Sequence, residues 1–313
     1  MFCCTLRDGW AAFRHHYAAG NLEWFQMFFM AVTHACALYA LFVVVPSGRV
    51  MWQTYVEAAV LLFLSGLGVT AGAHRLWSHR SYSAAWPLRL FLMLCQATSF
   101  QRSVYSWATN HRVHHKHSDS EADPHNVNRG FFYSHIGWLF VKRNAAYEAA
   151  LAQLDASDLW DDPIVRFQHV IDSVGSLSFF SQTMCFPVPA FVAHYGWGED
   201  FWVAYFIAGH LRFVMSLHAT FCVNSFAHMY GMRPYDAAIP PAENRWVSYV
   251  AIGEGWHNYH HKFPFDYATS EFGHTQQFNP TKLFIDVCDW LGLAWDRKRA
   301  TGACALTKQK KHR

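Results

Sequence analysis

The sequence predicts an all-α integral membrane protein, a single domain over residues 1–313 with four transmembrane helices in two hairpins and a cytosolic helical cap. Of the 313 residues, 52% are hydrophobic and 15% are charged, so the chain is richer in apolar side chains than an average soluble domain. Four apolar segments are each long enough to cross a hydrocarbon core, which takes about 20 residues as a helix. No linker or repeat divides the chain, and its net charge of +3 is too small to indicate a nucleic-acid partner.

The four apolar segments cover approximately residues 25–45, 54–71, 174–194 and 201–223. The first pair is joined at Pro46-Ser47-Gly48 and the second pair by residues 196–200, and both connectors are rich in residues that end helices. Because each connector is short, we expect each pair to form an antiparallel hairpin.

A fifth apolar stretch, Trp86 to Phe100, is predicted to lie along the membrane interface. It is shorter than a spanning helix and contains Pro87, Arg89 and Gln96. With two hairpins crossing the membrane, both termini and all histidine clusters fall on one side. That side is predicted to be cytosolic because it carries the basic residues Arg75, Arg80, Arg112, Lys116, Lys142, Arg143, Lys262 and the C-terminal tail. Residues 75–172 and 224–300 are expected to form the cap.

Three histidine clusters stand out among the 21 histidines of the chain. They are His74 with His79; His111, His114 and His115; and His257, His260 and His261. In the second and third clusters, spacings of three and four place the imidazoles on one helix face. Adjacent histidines diverge by about 100° around a helix axis, so the two neighbours can reach two different metal ions. The clusters flank the membrane hairpins and are therefore expected to converge at the membrane surface.

The histidines favour a borderline transition metal such as iron, copper or zinc, because the eight scattered cysteines form no C-x-x-C pair. Four acidic residues near the clusters have two interpretations: they accept from imidazole N–H groups and orient them, or they belong to a solvated charged loop. These residues are Asp119, Glu121, Asp123 and Glu254.

Five motifs resemble those of the membrane acyl-CoA desaturases of stearoyl-CoA type. They are HRLWSH (74–79), HRVHHKHSDSEADPHN (111–126), RGFFYSHIGWLF (129–140), NSFAHMYGMRPYD (224–236) and GEGWHNYHHKFPFDYATSEFG (253–273). The resemblance runs in order over about residues 70–300. It therefore includes much more than the histidines.

This resemblance implies a di-iron centre held by nine histidines and, through a water molecule, by Asn224. The nine are His74, His79, His111, His114, His115, His228, His257, His260 and His261. Spacing alone does not single out His228, which follows the last membrane segment as a lone histidine. The other histidines, among them His117, His125, His135 and His218, are interpreted as ordinary packing or surface residues.

The resemblance also implies that the protein uses O2 to introduce a cis double bond, at the delta-9 position, into a long-chain fatty acyl-CoA. It implies that electrons come from cytochrome b5 and its NADH-dependent reductase. The protein is predicted to lie in the endoplasmic reticulum membrane with both termini cytosolic. Gln101 and Trp107 match positions that line the acyl tunnel, and Lys142 and Arg143 match a basic pair at the CoA end. The chain departs from the family at Thr109-Asn110, which replaces an Arg-Asp pair, and at Phe221, which replaces a tryptophan.

Two other functions remain open. A di-iron fatty-acid hydroxylase or membrane monooxygenase uses similar histidine spacings and inserts oxygen instead of removing hydrogen. A membrane metal transporter or heme-binding electron carrier would use the histidines as transit or axial ligands. Transport predicts ionisable residues lining the bilayer interior, where Glu57 and Arg212 are the main ones and belong to no histidine cluster. The C-terminal Lys310-Lys311-His312-Arg313 resembles a dilysine retrieval signal or is a basic tail attracted to anionic lipid.

Overall fold

The computed structural model describes residues 6–174, 178–273 and 275–300, and their regular secondary structure is almost entirely helical. The C-terminal lysines lie outside the described residues. The α-helices of the described part are α1 (Leu6–Ala18), α2 (Trp24–Tyr39), α3 (Trp52–Leu67), α4 (Trp86–Ser99), α5 (Val104–Lys116), α6 (Phe131–His135), α7 (Ala145–Ala152), α8 (Ser157–Asp161), α9 (Pro163–Ser173), α10 (Phe179–Cys185), α11 (Pro187–Trp197), α12 (Phe201–Ala204), α13 (Arg212–Asn224), α14 (Phe226–Met229), α15 (Arg245–Val250), α16 (His257–Lys262) and α17 (Pro280–Trp290). Two short strands, β1 (Ser83–Ala84) and β2 (Ala294–Trp295), pair in antiparallel fashion.

Several α-helices continue without a break into turns of different pitch. Three stretches have the wider π-helical geometry: Ala40–Val44 after α2, Gly68–Ser78 after α3, and Tyr205–Leu211 between α12 and α13. Single 3₁₀ turns occur at Val45–Ser47, Val127–Arg129 and Gly137–Phe140. The π-helical stretches extend the membrane helices, and the second of them carries the first histidine cluster.

Three continuous helical runs are long and apolar enough to cross a membrane: Trp24–Ser47, Trp52–Ser78 and Phe201–Met229. Their mean hydropathies are 2.2, 1.8 and 1.3. Three of the four predicted transmembrane segments, 25–45, 54–71 and 201–223, lie inside these runs. Each run extends beyond its predicted segment at the C-terminal end, because apolar composition alone does not mark where a helix stops.

The fourth predicted segment, 174–194, is not one continuous helix in its described part. It divides into α10 and α11 at Phe186, immediately before Pro187. Proline lacks a backbone N–H and cannot continue the hydrogen-bond ladder of the preceding turn, which accounts for the break. The expectation of a single helix is wrong here, and the fourth membrane crossing stays a prediction.

The two predicted hairpin connectors lie side by side. Glu199, in the connector between α11 and α12, accepts hydrogen bonds at Oε2 from Met51 N at 2.8 Å and from Thr54 Oγ1 at 2.7 Å. Trp197 Nε1 donates to the same threonine at 3.0 Å. A buried carboxylate therefore ties the second connector to the start of α3, at the end of the bundle away from the histidines.

Arg212, one of the two ionisable residues expected inside the bilayer, serves as a structural crosslink. Its side chain is fully buried and donates to the carbonyl oxygens of Thr98, Cys185 and Ala208 at 2.7–2.8 Å. These carbonyls belong to α4, α10 and the π-helical stretch before α13. The guanidinium group thus connects three helices and lines no path through the bundle.

Helix α4, predicted to lie at the interface, packs closely across α3. A β-carbon added at Gly68 would come within 2.1 Å of the backbone nitrogen of Gln96, so the two helices touch backbone to backbone at this point. The chain then reverses at Phe100, whose φ is 46°. This reversal directs α5 back towards the end of the α3 run, and the location of α4 at the interface stays a prediction.

The segments expected to form the cap share one hydrophobic core. Leu76, Trp77 and Tyr82 from the end of the α3 run pack with Leu159 of α8 and Ile285 of α17. The β1–β2 pair joins the same two parts of the chain. Residues 75–172 and 224–300 are therefore packed together, whereas their cytosolic location stays a prediction.

Candidate metal centre

The first histidine cluster occupies the π-helical end of the α3 run. His79 N donates to His74 O at 3.1 Å, an i to i+5 hydrogen bond. In an α-helix residues five apart point in different directions, but this wider turn places one above the other. The two ring centroids are 4.8 Å apart. A spacing of five thus presents both imidazoles on one face because the helix changes its pitch here.

Helix α5 carries the second cluster. Ser103 precedes the helix as its N-cap, and its side chain accepts a hydrogen bond from Ser106 N. His111 and His115 are four residues apart and face the same side, with ring centroids 4.6 Å apart. His114 points away from that side towards His228 and His261. One helix therefore serves two neighbouring sites.

The short helix α16 repeats this arrangement. Its N-terminal part is held by Glu243, whose carboxylate accepts from Tyr259 N at 2.8 Å. His260 points towards His74, with 3.0 Å between their Nε2 atoms. His257 and His261 point the other way, with 3.1 Å between theirs.

Nine of the candidate ligands thus form two adjacent groups of imidazoles. Within each group the candidate ligand atoms all lie within 4.8 Å of one another. The first group is His74, His79, His111, His115 and His260, and the second group is His114, His228, His257 and His261. The adjacent pairs 114/115 and 260/261 are each divided between the groups, as the 100° rotation per residue predicts.

Nitrogen atoms from distant parts of the chain converge inside each group. His79 Nε2 lies 2.9 Å from His111 Nε2, and His115 Nε2 lies 2.9 Å from His260 Nε2. In the second group, His228 Nε2 is 3.0 Å from His257 Nε2. His228, which spacing alone did not identify, sits in α14 at the C-terminal end of the third membrane run.

Three of the four acidic residues singled out from the sequence hold the outer nitrogens of these rings. Glu254 Oε2 is 3.0 Å from His74 Nδ1, and Asp123 Oδ1 is 2.8 Å from His114 Nδ1. Asp119 Oδ2 is 3.2 Å from His228 Nδ1. Glu121 is exposed, and only its backbone carbonyl is engaged, by Asn144. A carboxylate on Nδ1 leaves the Nε2 lone pair directed at the centre of the group.

Electrostatics keep most of these rings neutral. Burial lowers the pKa of His79, His111 and His260 well below the usual value, and the neighbouring imidazoles lower it further. For His114 burial alone would lower the pKa, but Asp123 outweighs burial and raises it. A neutral imidazole has a free lone pair, which is the form that binds a metal ion.

The donor set fits a pair of borderline transition-metal ions. Four or five imidazole nitrogens converge in each group, and carboxylates fix the outer nitrogens of three rings. Such all-nitrogen sites suit iron, copper and zinc alike. His125 lies beside His114 and Asp123, and its candidate ligand atom is within the same 4.8 Å limit of theirs. The H-x-x-H spacing did not point to His125.

A cavity of about 540 Å³ runs between α3 and α13 and ends at both histidine groups. Most of its lining is apolar and includes Leu62, Phe63, Val69, Met215, Val223 and Ile252. At its polar end it reaches His74, His111, His114 and His257, together with Asn224 and Glu254. Asn224, the proposed water-holding residue, therefore lies on the cavity wall beside the imidazoles.

Gln101 and Trp107 meet Thr220 at the side of this cavity. Trp107 Nε1 donates to Gln101 Oε1 at 3.3 Å, and Gln101 Nε2 donates to Thr220 Oγ1 at 3.0 Å. Both Trp107 and Thr220 line the cavity. The hydrogen bonds fasten α5 to α13 and fix the shape of the wall.

Lys142 and Arg143, predicted to act as a pair, point to different places. Lys142 Nζ donates to Gly20 O at 2.9 Å and lines neither the cavity at the histidines nor the one that Arg143 lines. Arg143 lines a second cavity of about 350 Å³ with Arg102, Asn110 and Tyr147. Arg143 donates to Asn110 Oδ1 at 3.2 Å, and both residues of the Thr109-Asn110 departure line this cavity.

The hydroxyl of Thr109 and the ring of Phe221 are both accommodated by local contacts. Thr109 Oγ1 turns back to donate to Tyr105 O at 2.9 Å within α5. Phe221 is buried, with its ring 5.6 Å from that of His135 and 6.3 Å from that of Trp138. The second cavity is also lined by Arg102, a basic residue that the sequence analysis did not single out.

The fold and the site together define a class: helical membrane proteins in which imidazoles from several helices meet in two adjacent groups at the end of an apolar cavity. The family model for fatty acid desaturases matches residues 51–276. This chain therefore belongs to the fatty acid desaturase family, as the motifs predict.

Named relatives match over most of the chain. Stearoyl-CoA desaturase 5 of Bos taurus is 51% identical over 281 residues, which is 90% of this chain and 81% of the relative. The human stearoyl-CoA desaturase 5 is 50% identical, over 90% of this chain and 82% of the relative. An acyl-CoA desaturase of Cyprinus carpio is 49% identical over 287 residues, which is 92% of this chain and 85% of the relative.

Proposed function

We propose that this protein is an oxygen-dependent acyl-CoA desaturase that introduces a cis double bond, at the delta-9 position, into a long-chain saturated fatty acyl-CoA. The observation that carries the proposal is the meeting of two imidazole groups with the end of one long apolar cavity. An alkyl chain has no polar handle, so an enzyme acting on it must position one carbon–carbon bond by the shape of its cavity. The relatives named as stearoyl-CoA and acyl-CoA desaturases support the same substrate class.

Two iron ions are the proposed metals, with five histidines for one and four histidines plus a water held by Asn224 for the other. When bound, such a pair supplies the O2-activating chemistry that removes two hydrogens from an unactivated chain. The residues of this chain do the remaining work. Asp119, Asp123 and Glu254 orient the imidazoles, and burial keeps the rings neutral. An exact ligand geometry is needed because a misplaced ring would not hold a reactive metal.

The acyl chain is proposed to occupy the cavity along α3, with its reacting bond beside the imidazoles. Trp107, Gln101 and Thr220 would then hold the wall next to that bond. Arg143, together with Arg102, is the proposed binding site for the phosphates of CoA, since guanidinium groups bind phosphate through paired hydrogen bonds. Lys142 is a weaker candidate because its ammonium group is engaged by a backbone carbonyl.

The electron donors are proposed to be cytochrome b5 and its NADH-dependent reductase. The chain contains no HPGG-type heme motif of its own, so the donor should be a separate protein. The proposed location is the endoplasmic reticulum membrane, with several crossings and both termini in the cytosol. Basic residues around the histidine end of the bundle support that orientation.

The test is expression of the full chain in a desaturase-deficient host. Fatty acids would be analysed by mass spectrometry after derivatisation of the double bonds. We expect a product two mass units lighter than its saturated precursor, with one dominant double-bond position. The variant His114→Ala, which removes one ring of the second group, should give none, and iron analysis of purified protein should find two ions per chain. A product heavier by one oxygen would instead make the protein a hydroxylase.

A further inference from the structure

Helix α17 presents an apolar face that no described part of the chain covers. The exposed positions of this helix are Leu283, Val287 and Trp290. Spacings of four and three put these side chains on one side of the helix. Trp290 has 82% of its surface exposed. The opposite side of α17 is buried in the cap through Ile285 and Cys288.

The charged residues of α17 are occupied within the protein. Lys282 pairs with Asp286, and Arg297 pairs with both Asp286 and Asp289. These ion pairs lie on the side of the helix that faces the cap, beside the ring of Tyr267. The helix is therefore divided into a polar side that the cap holds and an apolar side that is turned away from it.

Helix α4 continues this apolar surface. The two helices touch, since the ring centroids of Phe91 and Phe284 are 6.3 Å apart and Ala85 N donates to Leu293 O at 2.9 Å. The exposed positions of α4 are Trp86, Pro87, Leu90 and Phe91. Two neighbouring helices thus share one outward apolar surface. A continuous surface of this kind marks a place where a protein contacts a partner or a membrane.

Both helices meet the α3 run at the level where its apolar segment ends. Helix α4 crosses the run at Gly68, backbone to backbone. Helix α17 starts beside Thr70, whose Oγ1 lies 2.8 Å from Thr281 Oγ1. Gly68 and Thr70 are two residues apart, which is at most about 3 Å along a helix. They also lie at the end of the apolar segment 54–71. The shared surface is therefore at the depth of the membrane boundary.

The composition of this surface favours lipid over a protein partner. Trp86 is the first residue of α4 and Trp290 is the last residue of α17. Tryptophan is enriched where hydrocarbon meets the lipid head groups, because its ring is amphipathic. The exposed positions of the two helices carry no charged side chain, whereas a protein interface normally has a polar rim. One apolar side and one charged side are the features of a helix that lies in the membrane interface.

We propose that α17 lies in the membrane interface beside α4, with Leu283, Val287 and Trp290 among the lipid acyl chains. The part of the chain expected to form the cap then makes a membrane contact of its own, apart from the spanning helices. This contact reaches the large cavity, because Thr281 also donates to Ile252 O at 2.8 Å and Ile252 lines that cavity. A helix seated in lipid thus supports the cavity wall.

The test is chemical labelling of the unchanged full chain in phosphatidylcholine vesicles. One sample would be treated with a diazirine that dissolves in the acyl phase and another with hydroxyl radicals generated in the water. Tandem mass spectrometry would locate the modified residues. Val60, exposed on the membrane helix α3, is the reference for lipid. Lys116, exposed at the end of α5, is the reference for water.

We expect the ratio of lipid-phase to aqueous modification at Leu283, Val287 and Trp290 to be close to that at Val60. It should exceed the ratio at Lys116 by about tenfold or more, as expected for apolar side chains that are removed from water. The variant Val287→Asp should draw the face into water and raise the aqueous modification of Trp290 by about threefold or more. Ala149→Asp, at an exposed alanine of α7, is the matched control and should leave Trp290 unchanged.

Mainly aqueous modification of Leu283, Val287 and Trp290 in the unchanged protein would overturn the inference, because the face would then lie in water. Protection from both reagents would also overturn it, since a second copy of the chain or another protein would then cover the face. Should Val287→Asp fail to fold, the labelling of the unchanged protein decides alone. The measurement needs no turnover, so its outcome is independent of the proposed function.

Discussion

Arg75 and Glu254 form a buried ion pair, with 2.8 Å between Arg75 Nη2 and Glu254 Oε1. The other carboxylate oxygen is 3.0 Å from His74 Nδ1, so the pair also orients a candidate metal ligand. Burial alone would raise the pKa of Glu254, but Arg75 and His74 outweigh it and lower the pKa to about 2. The carboxylate therefore stays charged, and one residue links the packing of the cap to the geometry of the centre.

Replacing Glu254 by Gln should weaken both metal binding and the fold. The amide cannot balance the charge of Arg75, and a broken buried pair costs about 3–5 kcal/mol. Loss of the group that orients His74 should lower metal affinity about 10-fold to 100-fold. Metal titration against a competing chelator and thermal unfolding in detergent measure the two effects.

Asp158→Asn, at the partly exposed ion pair with Arg112, is the control and should change stability by at most about 1 kcal/mol. Unchanged metal affinity in Glu254→Gln would contradict the assigned role.

The adjacent residues His260 and His261 should affect different metal ions. His260→Ala removes a nitrogen from the first group, and His261→Ala removes one from the second. We expect desaturation to disappear in both variants and the metal content to fall from two ions towards one per chain. Spectroscopy of the remaining ion should differ between the two variants because its ligand sets differ. His15→Ala, at an exposed histidine of α1, should keep both ions. Identical spectra would show that the rings share one site.

Gly68→Ala should destabilise the protein severely. The added carbon would lie 2.1 Å from Gln96 N and 2.4 Å from the carbonyl carbon of Cys95, and neither backbone atom can move without shifting α4. We expect a loss of at least about 3 kcal/mol, the upper range for an overpacked core. Gly196→Ala is the matched control, because no atom lies within 4 Å of its added carbon. Equal melting temperatures for the two variants would argue against this close helix crossing.

Glu243 should make stability fall as the pH rises. Burial raises its pKa from 4.5 to about 8, against the opposing hydrogen bonds from Tyr259 N and Asn258 N. The folded state then holds a proton that the unfolded state has released. This contribution is complete below pH 4.5 and is lost as the pH approaches 8. Glu243→Gln should flatten the curve of melting temperature between about pH 5 and pH 9. Glu148→Gln, at an exposed carboxylate of α7, should leave this curve unchanged. If melting temperature has the same dependence on pH in the unchanged protein and in both variants, the assignment is refuted.

Arg143 and Lys142 should contribute unequally to substrate binding. Arg143→Gln removes a guanidinium from the second cavity and should raise the KM for acyl-CoA by about tenfold, as expected for losing a hydrogen bond to a charged group. Lys142→Gln should change KM little, because its ammonium group is held by Gly20 O. Steady-state kinetics with stearoyl-CoA measure both. A larger effect at Lys142 would move the CoA site away from the second cavity.

Regular periodicity made much of this architecture predictable. Hydropathy predicts the three membrane runs. The 100° rotation per residue predicts that adjacent histidines are divided between the two groups, and local charge points to four acidic candidates, of which three hold imidazoles. The break before Pro187 was also readable from the sequence, since proline ends a hydrogen-bond ladder. It was missed because the apolar composition continues through it.

Other features depend on contacts between distant residues and could not be derived from spacing. His228 joins the second group only because α14 brings it beside His257 of α16, and Arg102 faces the second cavity only because α5 and α7 lie side by side. His34, His218 and His135 are hydrogen-bonded to one another only because α2, α13 and α6 meet. A spacing of five, as between His74 and His79, does not place two side chains on one face of an α-helix, but it does so in the π-helical turn that the chain forms there.

The α3 run is an uninterrupted helix from Trp52 to Ser78 that provides both a wall of the cavity and the imidazole of His74 at its polar end. The 15 steps from Ala59 to His74 cover at most roughly 22 Å at about 1.5 Å per residue. If the acyl chain fills the cavity as proposed, this helix serves as a molecular ruler, because the carbon atom beside the imidazoles is then counted from the far end of the cavity in units of helical rise.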